Sequence, residues 1–438
     1  MQSTKFQQKL ISIRRHLHQY PEIGYQEHQT SEFICEKLTE LGVSYRKGLA
    51  RGTGILAEIR KGSGQTVLLR ADLDALPMQE ISGVEFSSQN PGVMHACGHD
   101  MHTTMLLGAI EMLQKSDFNG TVKFVFQPSE EGTYDDPDKK SGGQRMVEEG
   151  VLDGVDCALA LHVNPLAPVG MLNYTSGTAL ANAANFTIEI FGKSGHAGAA
   201  PHLAKDTVLA GSALVQQLQT IVARNIAPLE AGVVSVAEFH AGSAPNVIAD
   251  FARLTGTLRA LSDENFDHIQ NRLQQIIKGI ELAYEVQIKY TQNSFYPGVK
   301  NDTEILNQLQ DTAEELFPLG LHPIEPTMGA EDFAFFAREV PSAFYFIGAM
   351  SEQQGAYFLH HPKVIFNEDC LVLGAEFLAK GAINMLNYLN ENNKPQKTIS
   401  REEAIFLTLP KHLQEQMMKM KGKLRSENTD PPPESTTE

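Results

Sequence analysis

The sequence predicts an α/β protein interrupted by a separate α+β unit, on three observations. Strand-like apolar runs alternate with helical stripes through residue 181, and the same texture returns from 293 to 390. Between 182 and 292 the order becomes β-α-β-β-α-β, the ferredoxin-like split motif. At 438 residues the chain is also too long for one ordinary core, and an insertion of this length fits ordinary domain size. The expected layout is therefore an α/β domain in two parts, 1–181 and 293–390, around an inserted unit at 182–292, with a C-terminal extension at 391–438.

Hydrophobic content of 42% and charged content of 20% describe a well-folded chain. The net charge of −17 is spread rather than blocked, which argues against nucleic acid as partner, because phosphates need a basic surface. Four cysteines lie far apart, the N-terminus is polar, and no apolar run approaches the roughly 20 residues of a membrane span. A cytoplasmic protein with reduced thiols and no membrane contact is expected.

In chain order, Phe6, Leu10, Ile13 and Leu17 mark a helix over 3–19 that Pro21 stops. The run Arg14-Arg15-His16-Leu17-His18 suits a basic helix end. A second helix covers 30–41. Consecutive strands follow from Gly52 and Thr66, joined by a Gly-Ser-Gly turn. The second ends in Asp72 and Asp74, which are either strand-end caps or site residues, since ligands collect beyond the carboxyl ends of such strands.

Residues 92–104 hold His95, Cys97, His99, Asp100 and His102, followed by an apolar helical stripe from Met105 to Leu113. These side chains are surface loop residues with one small buried thiol, or Cys97 and His99 reach one ion. The strand at 121–127 runs into Pro128-Ser129-Glu130-Glu131-Gly132. Adjacent glutamates are common on surfaces. They also suit a metal site, where one carboxylate binds the ion while its neighbour, its pKa raised by crowding, faces the attacking water. Residues 133–143 read as a polar loop, and the strand from Cys157 ends near His162, a core histidine or a ligand.

The insertion reads as a strand at 185–191, a helix at 204–224, strands at 232–239 and 249–259, a helix at 263–281 opened by Ser262, and a strand at 284–291. Then come a helix at 302–316, a strand at 343–348, the His360-His361-Pro362 run and a helix at 368–390. A short amphipathic piece, Ala404–Met420, precedes a tail too poor in apolar residues to order itself.

The donors Asp74, Cys97, His99, Glu130, Glu131, His162 and His360 thus lie mostly at strand ends of one domain. They exceed what one tetrahedral ion takes. Two ions about 3.5–4 Å apart would use them while leaving Glu130 free as base.

Several runs carry a specific resemblance: Arg14-Arg15-x-Leu17-His18-x-x-Pro21-Glu22, Leu69-Arg70-Ala71-Asp72-x-Asp74, His95-Ala96-Cys97-Gly98-His99-Asp100-x-His102 and Gln127-Pro128-x-Glu130-Glu131-Gly132. Leu161-His162-Val163, Gly195-His196-Ala197, Gly329-Ala330-Glu331-Asp332-Phe333 and His360-His361-Pro362 continue the series. Over residues 10–390 the chain resembles the M20 metallopeptidase family. Within it the likeness is to the amidohydrolase branch of hippurate hydrolases, N-acyl-amino-acid amidohydrolases and auxin-conjugate hydrolases.

The resemblance implies a mixed-sheet di-metal catalytic domain with the insertion as a ferredoxin-like lid. The implied activity is hydrolysis of the amide bond of small N-acyl amino acids. Two Mn, Zn or Co ions would be held by Cys97, His99, Glu131, His162 and His360. His360 is favoured over His361 because the branch places its ligand two residues before the proline. Glu130 would be the general base and Asp74 the orienting aspartate. His196, in a homodimer formed through the lid, would reach the partner's site and stabilise the tetrahedral oxyanion. Asn246 and Arg259 would receive the substrate carboxylate, which an Arg fork suits. Position 72 carries Asp where other branches have a ligand histidine, and the 133–143 loop, which borders the site, is longer than most relatives carry. The rival readings are a dipeptidase or aminoacylase of the same family, and a non-catalytic metal-binding homologue.

Overall fold

The computed structural model describes residues 2–134, 136–352 and 357–392; the expected piece at Ala404–Met420 and the tail lie outside the described residues. Helices α1 (Gln2–Gln19) and α2 (His28–Glu40) lead into β1 (Ser44–Leu49), β2 (Gly54–Lys61) and β3 (Thr66–Asp72). Then follow α3 (His99–Lys115), β4 (Gly120–Gln127), α4 (Gly142–Glu148), β5 (Cys157–Asn164), β6 (Leu172–Tyr174) and β7 (Gly177–Leu180).

The inserted unit contains β8 (Asn182–Phe191), β9 (Gly195–His196), α5 (Thr207–Asn225), β10 (Gly232–Ala241), β11 (Val247–Ile248), β12 (Phe251–Ala260), α6 (Asp263–Tyr284) and β13 (Gln287–Tyr296). After it come β14 (Val299–Asn301), α7 (Thr303–Leu316), β15 (Leu321–Pro323), α8 (Ala334–Glu339), β16 (Ser342–Gly348) and α9 (Cys370–Asn392).

The main sheet is mixed, in the order β1-β2-β4-β3-β5-β16-β6-β15. β3 lies parallel to both β4 and β5, and β5 parallel to β16. Side-chain alternation divides the strands between two layers. Val67, Leu69 and Ala71 face the core with α1, α3, α7 and α9, while Leu68 faces a second core with Met146 and Phe336. β5 is buried on both faces, which is why it reads as one apolar run.

Although β2 and β3 are consecutive, they are not neighbours, for β4 lies between them. Their connection wraps the residue before β4: Ser63 N–H donates to Asn119 Oδ1 at 3.2 Å. β1 was not expected, because its side chains are exposed except at its end and show no alternation. Arg14 is also not the solvated helix end its run suggested. It is 1% exposed and meets Asp100 Oδ2 at 2.9 Å.

In the inserted unit the sheet order is β10-β12-β8-β13, with every neighbouring pair antiparallel, as the split motif requires. Phe186, Ile188 and Ile190 of β8 meet Leu214 and Leu218 of α5 and Leu273 and Ile277 of α6 in a core of their own. Asp206 caps α5 and Ser262 caps α6, each accepting backbone N–H groups of the first turn. β13 runs past 292 to Tyr296.

Candidate active site

The chain leaves β3, forms α3, and adds β4 on one side of β3; it then returns through α4 to place β5 on the other side. Crevices form where strand order reverses in this way, beyond the carboxyl ends of the strands. Asp72 ends β3 and Asp74 follows it, Glu130 and Glu131 follow β4, and His162 stands near the end of β5.

Two local features aim these side chains. Gly98, at the start of α3, has φ 90°, and a Cβ there would lie 2.3 Å from Val163 Cγ2. Only glycine lets the turn carrying Cys97 and His99 press against β5. The corner after β4 is the second. Ser129 has φ 50°; its N–H donates to Glu27 Oε1 at 2.8 Å, and Thr53 Oγ1 donates to Glu27 Oε2 at 2.8 Å. Glu131 N–H donates to Asp74 Oδ2 at 2.9 Å. Adjacent glutamates therefore diverge. Glu131 Oε1 stands 3.1 Å from His360 Nε2 and 3.9 Å from His99 Nε2, whereas Glu130 Oε1 accepts from Asp332 N–H at 3.3 Å.

All five ligand candidates converge. Donor atoms of Cys97, His99 and His162 lie within 4.8 Å of one another, as do those of Cys97, Glu131 and His360, and of His99, Glu130 and Glu131. His99 Nδ1 is 3.2 Å from Asp74 Oδ1, and His162 Nδ1 donates to Val163 O at 2.9 Å. Each ring thereby keeps Nε2 for the centre, as ligating histidines do. His99 Nε2 is buried without a hydrogen bond, an arrangement that is costly unless something else meets it, and Glu131 Oε1 faces only the His360 ring at 3.1 Å. His361 instead stacks on Tyr357 and accepts from Lys363 N–H.

Around this cluster lies a support that the sequence motifs contained without revealing its purpose. Buried Arg70 reaches Asp72 at 2.7 Å, Glu331 at 2.8 Å, Asp332 at 2.9 Å and Gln127 at 2.8 Å. His102 joins Asp72 Oδ1 at 2.6 Å to Val163 N–H at 2.9 Å. A charged residue inside an apolar central strand was the signal for Arg70; Glu27 had none. His95 is buried with both ring nitrogens unpartnered, and burial lowers its pKa to about 4.

The electrostatics set the two glutamates apart. Burial, then Glu331 and Glu131, push the Glu130 carboxyl well above the usual range. Burial also raises Glu131, but His360 and His99 outweigh it and hold that carboxyl down. Burial would lower His99, yet Asp72 and Asp74 raise it to about 10. Burial and His102 lower His162, and burial with Glu131 raises the Cys97 thiol. This is the balance expected where anions outnumber cations and a further positive charge would be welcome.

The three expected lid residues do not join the cluster within one chain. His196 is exposed, its Nδ1 accepting from Gly198 N–H at 3.2 Å and Ala199 N–H at 3.1 Å. Asn246 is exposed beside it, its carbonyl accepting from Ala197 N–H. Arg259 is half-buried on β12, its Nε donating to Thr257 Oγ1 at 3.1 Å, with burial lowering its pKa. Tyr296, at the end of β13, donates its hydroxyl to the Glu130 carbonyl at 2.6 Å. A groove of ≈ 310 Å³ between α1 and α2, lined by His16, Tyr20 and Phe33, includes none of these residues.

Known proteins resemble the chain over most of its length. The chain is 35% identical over 391 residues to N-acetyl-L-cysteine deacetylase of Bacillus subtilis, covering 89% of this chain and 90% of that protein. It is 36% identical over 398 residues to IAA-amino acid hydrolase ILR1-like 4 of Arabidopsis thaliana, covering 88% of each. The crystal structure of Bacillus subtilis YXEP, a dinuclear metal-binding peptidase of the M20 family, superimposes with a TM-score of 0.75 at 31% identity, covering 88% of this chain and 99% of that one. The description of peptidase family M20/M25/M40 matches residues 68–384, and the chain belongs to that family.

Proposed function

We propose that this protein is a metal-dependent amidohydrolase that splits the amide bond of N-acyl amino acids into a carboxylic acid and an amino acid. The observation that carries the reading is the buried His99 Nε2, left without a hydrogen bond among the donor atoms of Cys97, Glu131, His162 and His360. A thiolate, three imidazoles and a carboxylate suit two borderline divalent ions, with Mn, Zn and Co the candidates. The relatives' names, a deacetylase of an amino acid and a hydrolase of an amino-acid conjugate, support the substrate class.

Held by Cys97, His99, Glu131, His162 and His360, divalent ions would supply Lewis acidity, lowering the pKa of a water and polarising the scissile carbonyl. Glu130, its proton affinity raised, takes the proton of the attacking water and gives it to the leaving amine. Asp74 orients His99 through one oxygen and fixes the Glu131 backbone through the other. Arg259 and Asn246 receive the substrate carboxylate from the lid.

In this reading residues 182–292 form the lid and 1–181 with 293–390 the catalytic domain, supported by their separate apolar cores. Two copies pair through their lids, and His196 serves the partner's site. Its exposure, with only Gly198 and Ala199 N–H groups as partners, favours that arrangement. A cytoplasmic location fits four buried free cysteines and the finding that no described helix is long and apolar enough to cross a membrane.

The test is Glu130→Gln assayed against N-acetyl, benzoyl and indole-3-acetyl amino acids. The variant retains two ions per chain by elemental analysis and loses about 10²- to 10⁴-fold in kcat. Full activity in that variant removes the base assignment, and an inactive wild type with no bound metal removes the function.

A further inference from the structure

Glu130 is tied to a turn that lies some 200 residues further along the chain. Its Oε1 accepts from Asp332 N–H at 3.3 Å. A Glu130 oxygen lies within 4.8 Å of donor atoms of His99 and Glu131, and one lies within 4.8 Å of carboxylate oxygens of Glu331 and Asp332. The proposed base thus stands where the ligand cluster meets the Glu331-Asp332 turn. Carboxylates gathered this closely repel one another unless a cation joins them. Buried Arg70 does so, its Nη2 donating to Glu331 Oε1 at 2.8 Å and to Asp332 Oδ1 at 2.9 Å.

The turn is held on every side that bears a polar group. Gln127 Nε2 donates to both Asp332 oxygens, at 2.7 and 2.9 Å, and Gly143 N–H donates to Oδ2 at 2.8 Å. A Cβ at position 143 would lie 2.7 Å from that oxygen, so glycine permits the approach. Glu331 Oε1 also accepts from Phe333 N–H at 2.9 Å, and the buried Phe333 ring stacks on Phe336 with centroids 5.6 Å apart. A buried polar network with its members bonded in this way is rigid. Its side chains anchor the turn, and the backbone N–H of Asp332 reaches out of it to Glu130.

Proton transfer requires the base to stand within hydrogen-bond reach of the water it serves, and a misplacement of about 1 Å costs on the order of 10²-fold. From this geometry we infer that Asp332 is a positioning residue: clamped by Arg70, Gln127 and Gly143, it uses its N–H to fix the Glu130 carboxylate in the orientation that takes the proton of the attacking water. The inference rests on the amidohydrolase reading given above and on Glu130 as its base. Asp332→Asn keeps the size of the side chain but sets an amide donor among groups that all donate, so the turn moves.

The experiment is a double-mutant cycle on the metal-loaded protein. It measures kcat, KM and metal content for the wild type, Asp332→Asn, Glu130→Gln and the double variant, on the acyl class that the wild type turns over fastest. Asp332→Asn lowers kcat by about 10- to 100-fold, with KM and metal content at their wild-type values. In the Glu130→Gln background the same substitution changes kcat by less than about 2-fold, because the group it acts through is already gone. Gln127→Ala leaves Arg70 and Gly143 on Asp332; it loses about 3- to 10-fold, with the same dependence on Glu130, and carries the comparison where Asp332→Asn does not fold. Wild-type kcat in the folded variant overturns the inference, as do equal losses in both backgrounds or a loss of kcat that follows a loss of metal. An inactive wild type overturns the amidohydrolase reading, and a fully active Glu130→Gln overturns the base assignment. With the wild type active and Glu130→Gln crippled, the cycle tests this inference alone.

Discussion

Glu27 shows how much a single buried carboxyl can decide without touching the chemistry. It sits under the Ser129 corner, and burial followed by the nearby Asp74 raises its pKa to about 8. Both its oxygens are occupied, one by Ser129 N–H and one by Thr53. Removing them leaves a buried backbone donor unsatisfied, at a cost of about 1–3 kcal/mol. Glu27→Ala will lower the chemical denaturation midpoint and weaken metal retention in a chelator competition. Glu27→Gln, which keeps an acceptor for Ser129, will recover most of both.

Glu80 makes a pH-dependent contribution elsewhere. Burial opposes its ionisation, but His18 at 3.3 Å, Ser82 and the Ser88 N–H at 2.7 Å bring its pKa down to about 2. With the folded value below the unfolded one of about 4.5, its stabilisation is present above pH 4.5 and fades as pH falls toward 2. Glu80→Gln will therefore melt below wild type at pH 7, by roughly 1–2 kcal/mol after solvent screening, and the gap will close on acidification. A gap constant with pH contradicts the assignment.

Elements deliver these residues, and here the sequence was informative to different degrees. Long periodic segments such as α5, α6 and α9 could be read from their apolar spacing, as could β4 and β5. The ligand candidates were legible because each combines an unusual side chain with a strand or helix end. What could not be read was the wiring between elements. β4 separates β2 from β3, and Arg70 joins Asp72 to Glu331 and Asp332 across 261 and 262 positions of chain. Pairings of that range depend on which strands become neighbours, and local periodicity carries no record of that. The polar loop at 133–143 likewise hid a buried anchor in Asp136, since an aspartate bound by its own loop looks like any turn aspartate. At this scale Gly98→Ala is the decisive change. It combines a left-handed φ with a 2.3 Å clash on Val163 and will cost about 3 kcal/mol or more, read from the urea midpoint at unchanged slope.

For the whole molecule, β10 is the last strand of the inserted sheet among the described residues, and the unit also carries exposed apolar side chains. Val208, Leu209, Phe239 and Val247 are exposed by 43, 57, 37 and 47%. Such a surface invites a second copy. If two copies pair through this surface as proposed, Leu209→Asp will shift the protein from dimer to monomer in sedimentation velocity. Turnover will fall with it, while metal content will not, because His196 then has no neighbouring site to serve. A monomeric wild type with full activity would contradict this assembly.

The hydroxyl of Tyr296, hanging from the last strand of the insertion, grips the peptide oxygen of the residue assigned as base. The two units thus share a peg at the reacting corner. If the insertion moves as a lid, that peg is either its pivot or the first contact it breaks, and only in the second case does opening the cleft loosen the corner that carries Glu130.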